Sequence, residues 1–207
     1  MLIEELFRKT LDRAGADPEV STVLWAEVAR ECSGKGRYYH TLDHLEHMAR
    51  VLSPYLYVME DADAVVLAIA YHDIVYKVTR SDNEQRSADL MRARLRPLGV
   101  SMERLQRVEE HILATKAHGS TAEPDTAYLC DADLAVLGAS PEAYALYASA
   151  VRKEYRRYPD LLYRPGRRKV LRHFLGMPVI YRIPAFREQF ESAARRNLAN
   201  ELNALGG

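Results

Sequence analysis

The chain has 207 residues, 29 Lys and Arg against 29 Asp and Glu, and 48% hydrophobic side chains, so its composition is that of a folded globular protein and excludes intrinsic disorder. At this length roughly 70% of the unfolded chain's surface can be buried, enough for one sizeable core, and a single domain over 1–207 is expected. A formal net charge of +0 and a pI near 7.1 supply no overall basic field, so neither nucleic acid nor a membrane is expected as the main partner.

Apolar residues recur at three and four positions through most of the chain, and no strict alternation flanked by hairpin turns occurs, which predicts an all-α helical bundle. Glu4 and Glu5 follow the first three apolar residues too closely for a signal peptide. No apolar run approaches the ~20 residues of a bilayer span, so a cytoplasmic protein is expected. Leu2, Leu6 and Leu11 mark a first helix, and Asp17-Pro18 opens a second that runs to about Cys32. The polar turn SGKGR follows. Thr41 to Leu52 reads as a third helix stopped by Ser53-Pro54, and Asp61 to Tyr76 as a fourth, capped by Asp61 and apolar enough to be central.

Ser81, Asp82 and Glu84 form a start signal for a fifth helix that Pro97 and Gly99 close, and Ser101 caps a sixth. A loop, AHGSTAEPD, leads to a helical stretch from Thr126 to Leu137. Ser140-Pro141-Glu142 begins the next helix, to about Arg157. Two more are predicted near Arg167–Leu175 and Pro184–Leu205, in a last third richer in Arg and Tyr than in aliphatics. The motif-bearing part covers about 37–138 and 139–207 is a helical extension. Cys32 and Cys130 stand far apart and read as reduced core thiols.

Seven histidines are unevenly spread. His40, His44 and His47 are spaced i, i+4 and i+7, so on a helix their rings share a side, and His72-Asp73 adds a nitrogen and a carboxylate at the end of the apolar stretch AVVLAIAYHD. Burying such a pair costs several kcal/mol unless it is partnered or metal-bound. Asp131 and Asp133 in YLCDADLAVLG repeat the pattern of carboxylates emerging from apolar surroundings. Imidazole and carboxylate without thiolate suit a divalent Mn, Fe, Co, Ni or Zn ion with open positions for water. His173 stands apart and reads as an ordinary surface or core histidine. HLEH at His44 to His47 has the wrong spacing for a zinc protease, and no nucleophile elbow, P-loop or dinucleotide fingerprint occurs.

The segments YHTLDH, HDIVY, NEQRSA, ATKAH and DADLAVLG, in that order over about Arg37 to Gly138, resemble a bacterial branch of the HD-domain superfamily of metal-dependent phosphohydrolases. EYRRYPD, GRRKVL and ARRNLANEL also look like that branch. The resemblance implies an HD-type helical fold, hydrolysis of a phosphoester with a nucleotide among the candidate substrates, and a divalent metal drawn from Mn, Fe, Co, Ni, Zn or Mg. The alternative is a non-catalytic metal- and nucleotide-binding regulatory module. A homo-oligomer is left open. It assigns His44, His72, Asp73 and Asp133 as ligands, Asp133 rather than Asp131 because the family's ligand directly follows an Ala, and leaves Asp131 as a nearby or second-metal carboxylate. His40 takes the place of the proton donor in the related cyclic-nucleotide phosphodiesterases, although Thr41 stands where they have Asn.

Within that chemistry, Asp73 or Asp131 can accept the proton of the attacking water, and protonated His40 or His118 can supply one to the leaving oxygen. His111 and His118 are candidates for the site through the helix end that carries ATKAH. Arg37, Lys77, Arg86 and Lys116 are candidate phosphate contacts, with Arg80 nearby, and Glu84 is a candidate for facing the pocket. Tyr38, Tyr39, Tyr71 and Tyr76 bracket the same region and are able to stack on a base or to fill the core. The run Gly166-Arg167-Arg168-Lys169 reads as surface charge or a pocket rim.

Overall fold

The computed structural model describes residues 1–119 and 121–206, leaving Ser120 of the AHGSTAEPD loop and the terminal Gly207 outside. Ten α-helices and no strand occur among the described residues, as the periodicity predicts: α1 Leu2–Arg13, α2 Pro18–Cys32, α3 Leu42–Leu52, α4 Ala62–Tyr71, α5 Asn83–Leu95, α6 Met102–Ala114, α7 Pro124–Asp133, α8 Pro141–Glu154, α9 Asp160–Gly176 and α10 Pro184–Ala204. No helix among the described residues is long and apolar enough to cross a membrane. The chain forms two compact units, Met1–Cys130 and Asp131 onward, with the division falling inside the continuous helix α7.

In the first unit α4 is central. All eight residues from Ala64 to Tyr71 are buried, which is what a helix apolar on every side must be, and α1, α3, α5 and α6 pack around it. Phe7 of α1 bridges Trp25 of α2 and Tyr71 of α4, with ring centroids 5.6 and 6.1 Å apart. The caps read from the sequence form: Asp17 accepts from the Glu19 N–H, Asp61 from Ala64 and Ser101 from Arg104. Asp82 behaves differently. Its carboxylate accepts from the Arg86 guanidinium at 2.7 Å instead of from a helix amide. Cys32 and Cys130 are buried and form no disulfide, and burial pushes the Cys32 thiol up to about 11.

Helix α7 ends at Asp133, four residues before the expected Leu137, and a 3-10 turn over Ala135–Gly138 follows; two other boundaries depart further from the expected ones. Helix α4 stops at Tyr71, five residues short of Tyr76, because the backbone of Val75 and Lys77 is held by side chains of α5 rather than by the preceding helical turn. Helix α9 begins at Asp160, about two turns before Arg167, directly after Pro159, with Pro165 tolerated in an exposed stretch.

The second unit is held by polar groups to an unusual degree, which accounts for its wealth of Arg and Tyr. The buried Arg167 of α9 makes a bidentate pair with Glu201 of α10, at 2.7 and 2.8 Å. Asn197 of α10 donates to the carbonyls of Leu137 and Ala139, both at 2.9 Å, and Tyr181 donates to the Leu134 carbonyl. Glu191 accepts from the Ile180 and Tyr181 amides while Arg195 donates to the Leu175 and Met177 carbonyls. Helix α10 therefore fastens the connections on either side of it through side-chain to backbone bonds that aliphatics cannot make.

Candidate metal centre

Three elements deliver the candidate ligands. His44 lies in the first turn of α3 and is buried, His72 directly follows α4 and is 1% exposed, and Asp133 is the last residue of α7. One ligand atom from each of these three side chains lies within 4.8 Å of the other two, and this is the one such His, Cys or acidic group among the described residues. The Nε2 atoms of His44 and His72 are 3.3 Å apart. The first turns of α7 are tied down separately, since Asp125 accepts the backbone N–H of Glu60 and Asp61, at 3.2 and 2.8 Å.

The protonation of His72 follows from its partners. Its Nδ1 lies 3.0 Å from the Ile69 carbonyl, which has no proton to give, so Nδ1 carries the hydrogen. In the neutral ring Nε2 is then a bare lone pair, facing His44 Nε2 and, at 3.1 Å, the Oδ2 of Asp73. Lone pair against carboxylate is repulsive unless a proton or a cation lies between them. The carbonyl that orients His72 is the usual outer partner of a metal-binding imidazole, and the donor set of two nitrogens and carboxylate oxygen fits a divalent ion.

Asp73 stands beside the cluster rather than within the mutual 4.8 Å set, 3.1 Å from His72 Nε2 and 3.8 Å from His40 Nε2. His40 precedes α3, so the expectation of three histidines along one helix is corrected: Thr41 begins the helix, and His47 faces solvent while His44 faces inward. The His40 ring is stacked on Tyr76 at 4.0 Å and meets the edge of Tyr39 at 4.9 Å. This holds its Nε2 toward Asp73.

Asp131 is engaged by the start of α10. It is fully buried, and its oxygens accept the backbone N–H groups of Arg182 and Ile183, both at 2.7 Å, and the Arg182 guanidinium at 3.2 Å, fixing the start of α10. Burial raises its carboxyl above the ordinary range, against the pull of those donors. His118 lies in the turn after α6 with φ of +47°, its amide donating to the Ala114 carbonyl. His111 is buried, with Nδ1 2.8 Å from Thr126 Oγ1. Neither belongs to the ligand cluster.

Most of the expected phosphate contacts are engaged elsewhere. Arg37 donates to the carbonyls of His40 and Ile74, at 3.0 and 2.8 Å, and so braces the two ligand-bearing loops. Arg86 pairs with Asp82, and Lys116 donates to the Ser81 carbonyl and lies 3.7 Å from Glu84. Lys77 is exposed and only its backbone is fixed. In NEQRSA, Asn83 and Ser87 hold the backbone of the preceding loop. Asn83 receives the Lys77 N–H and donates to the Lys77 carbonyl, while Ser87 Oγ receives the Val75 N–H, so two side chains one helical turn apart clamp the loop after His72-Asp73. Their i, i+4 spacing was the available signal. No family model, curated protein or solved structure matches this chain.

Proposed function

We propose that this protein is a metal-dependent phosphohydrolase acting on a small phosphoester, with nucleotides among its candidate substrates. The observation that carries the reading is the convergence of His44, His72 and Asp133, buried or half-buried donors from three separate helices, on one point. When bound there, a divalent ion supplies Lewis acidity to a water and to a phosphoryl oxygen and brings the water's ionisation toward ~7.

The chain's own groups supply the rest. Asp73, beside His72 and partly open to solvent, is placed to accept the proton of the attacking water. His40, oriented by Tyr76 and by Asp73, is placed to hold a proton at Nε2 and give it to the leaving oxygen. The bond from phosphorus to the leaving oxygen breaks as the bond to the water oxygen forms, and the two protons move to Asp73 and from His40.

The test begins with elemental analysis of freshly purified protein. His44→Ala, His72→Ala and Asp133→Ala are expected to lose the metal. Turnover of a phosphoester panel with Mn, Co, Ni, Fe or Mg is expected to vanish in the His72→Ala, Asp73→Ala double variant; activity retained there overturns the mechanism. His40→Gln is expected to keep the metal and lose about 10²- to 10⁴-fold in kcat, the usual contribution of a general acid. A nucleotide that raises the melting temperature without being consumed would favour the regulatory module instead.

A further inference from the structure

The zero net charge conceals a division. Met1–Cys130 carries 16 Lys and Arg against 21 Asp and Glu, a net of −5, whereas the unit from Asp131 carries 13 against 8, a net of +5. The excess is concentrated further: residues 152–173, the end of α8 and most of α9, hold nine Lys and Arg and only two acids, Glu154 and Asp160. Of these bases, Arg167 is committed to Glu201, and Arg152 and Arg164 share Asp160. Lys153, Arg157, Lys169 and Arg172 are exposed and have no acidic partner among the described residues.

Helix α9 turns Tyr163, Arg167 and Leu171 inward at i, i+4 and i+8. Its opposite face carries Leu161, Pro165, Lys169 and Arg172 along one exposed stripe, with Leu162 beside them. Leu161 is 84% and Leu162 61% exposed. Two adjacent leucines held out in water, with the unpaired cations Lys169 and Arg172 further along the same stripe, are an unusual combination for a surface that contacts only solvent.

We propose that this outer face of α9, with the end of α8, docks on an anionic phospholipid bilayer: Lys153, Arg157, Lys169 and Arg172 meet the headgroup phosphates while Leu161 and Leu162 enter the boundary with the acyl chains. Charge complementarity requires a polyanionic partner, and the leucines choose among polyanions. A nucleic acid backbone rewards cations but gains nothing from exposed aliphatics, whereas a lipid surface rewards both. A second copy of the same face is disfavoured by like charge. The proposal is independent of the metal centre.

The test is co-sedimentation of the full chain with phosphatidylcholine vesicles that contain or lack phosphatidylglycerol. Binding is expected only to the anionic vesicles and is expected to disappear near ~1 M salt, where the screening length is about 3 Å. Lys169→Glu with Arg172→Glu is expected to weaken it by more than about 25-fold, since each cation near such a surface contributes roughly 5-fold. Leu161→Ser with Leu162→Ser is expected to weaken it with the salt dependence preserved. All these positions are exposed, so melting temperature and metal content should stay as in the wild type. Absent sedimentation, equal binding to both vesicle types, or unaltered binding by both variants overturns the proposal. So does tighter binding to a nucleic acid duplex that the leucine substitutions leave unchanged. The wild-type comparison of vesicle types stands even if a variant folds poorly, and its failure would leave the metal-binding results untouched.

Discussion

Gly138 shows how tightly single residues are constrained in the second unit. A Cβ built there lies 2.6 Å from Phe190 Cβ, 2.8 Å from its carbonyl oxygen and 2.9 Å from its Cα. Two of those atoms are backbone, and the flanking carbonyls of Leu137 and Ala139 are both held by Asn197, so the turn cannot slide away. Gly138→Ala should cost about 1–3 kcal/mol, as other overpacked sites do, and lower the melting temperature by several degrees. His111 is constrained by charge. Burial lowers its pKa below the ordinary imidazole value, against the opposing pull of Glu123 and Asp125 and with a further lowering by Arg107. The unfolded chain, with an ordinary histidine, therefore binds more protons than the folded one between those two pKa values, so stability rises with pH across that window and falls as pH drops below about 6.5. Urea unfolding at pH values on either side should show this loss in the wild type, and His111→Gln should flatten it.

At the scale of elements, α5 decides how the segment after His72-Asp73 is held. Asn83 makes two bonds to the Lys77 backbone and Ser87 two to that of Val75, both from buried positions. Removing either leaves part-buried backbone groups without their partner, at about 1 kcal/mol each. Asp73 lies within four residues of both anchors, so on the proposed mechanism Asn83→Ala and Ser87→Ala are expected to lower kcat by about 10- to 100-fold through misplacement of its carboxylate, while metal binding by His44, His72 and Asp133 is kept. Asn83→Asp, which keeps the acceptor and loses the donor, should fall between. A change in stability with unaltered kcat would reduce the clamp to a structural role. The existence of α4 and α5 was legible because apolar patterning and start signals are local. The stop of α4 at Tyr71 was not, because it depends on side chains that arrive from a helix about ten residues later. The start of α9 at Asp160 was missed similarly: its inward face is Tyr163, Arg167 and Leu171, a stripe whose central member is an arginine that becomes a core residue only when Glu201 is beside it.

Across the whole molecule, composition averages over what position separates. A net charge of +0 is correct for the chain and uninformative about either unit, because the opposite excesses of 1–130 and of the remainder cancel. The ligand cluster was more legible: an ionisable pair at the end of eight buried apolar residues had to be partnered, and His44 and Asp133 come to it as expected. The resemblance prefers Asp133 to Asp131, but the residue pattern alone treats the two alike, since what separates them is the pair of amides at 182 and 183, remote in sequence. That same remoteness would give a metal held by the cluster its leverage on folding. His44 and His72 are separated by 28 positions, and Asp133 follows only at the end of α7, so the unfolded chain does not present them together and an ion held by the cluster would bind the folded form alone. At a hundredfold excess over its Kd, such an ion adds about 2.7 kcal/mol, which for a chain of this size raises the melting temperature by roughly 5–11 °C. Thermal unfolding with and without added divalent metal should show that rise in the wild type and its loss in His44→Ala and Asp133→Asn. Asp73→Asn separates proximity from ligation. Because Asp73 lies outside the mutual cluster, the rise should persist while turnover is lost, and a loss of the rise as large as that of Asp133→Asn would make Asp73 a fourth ligand.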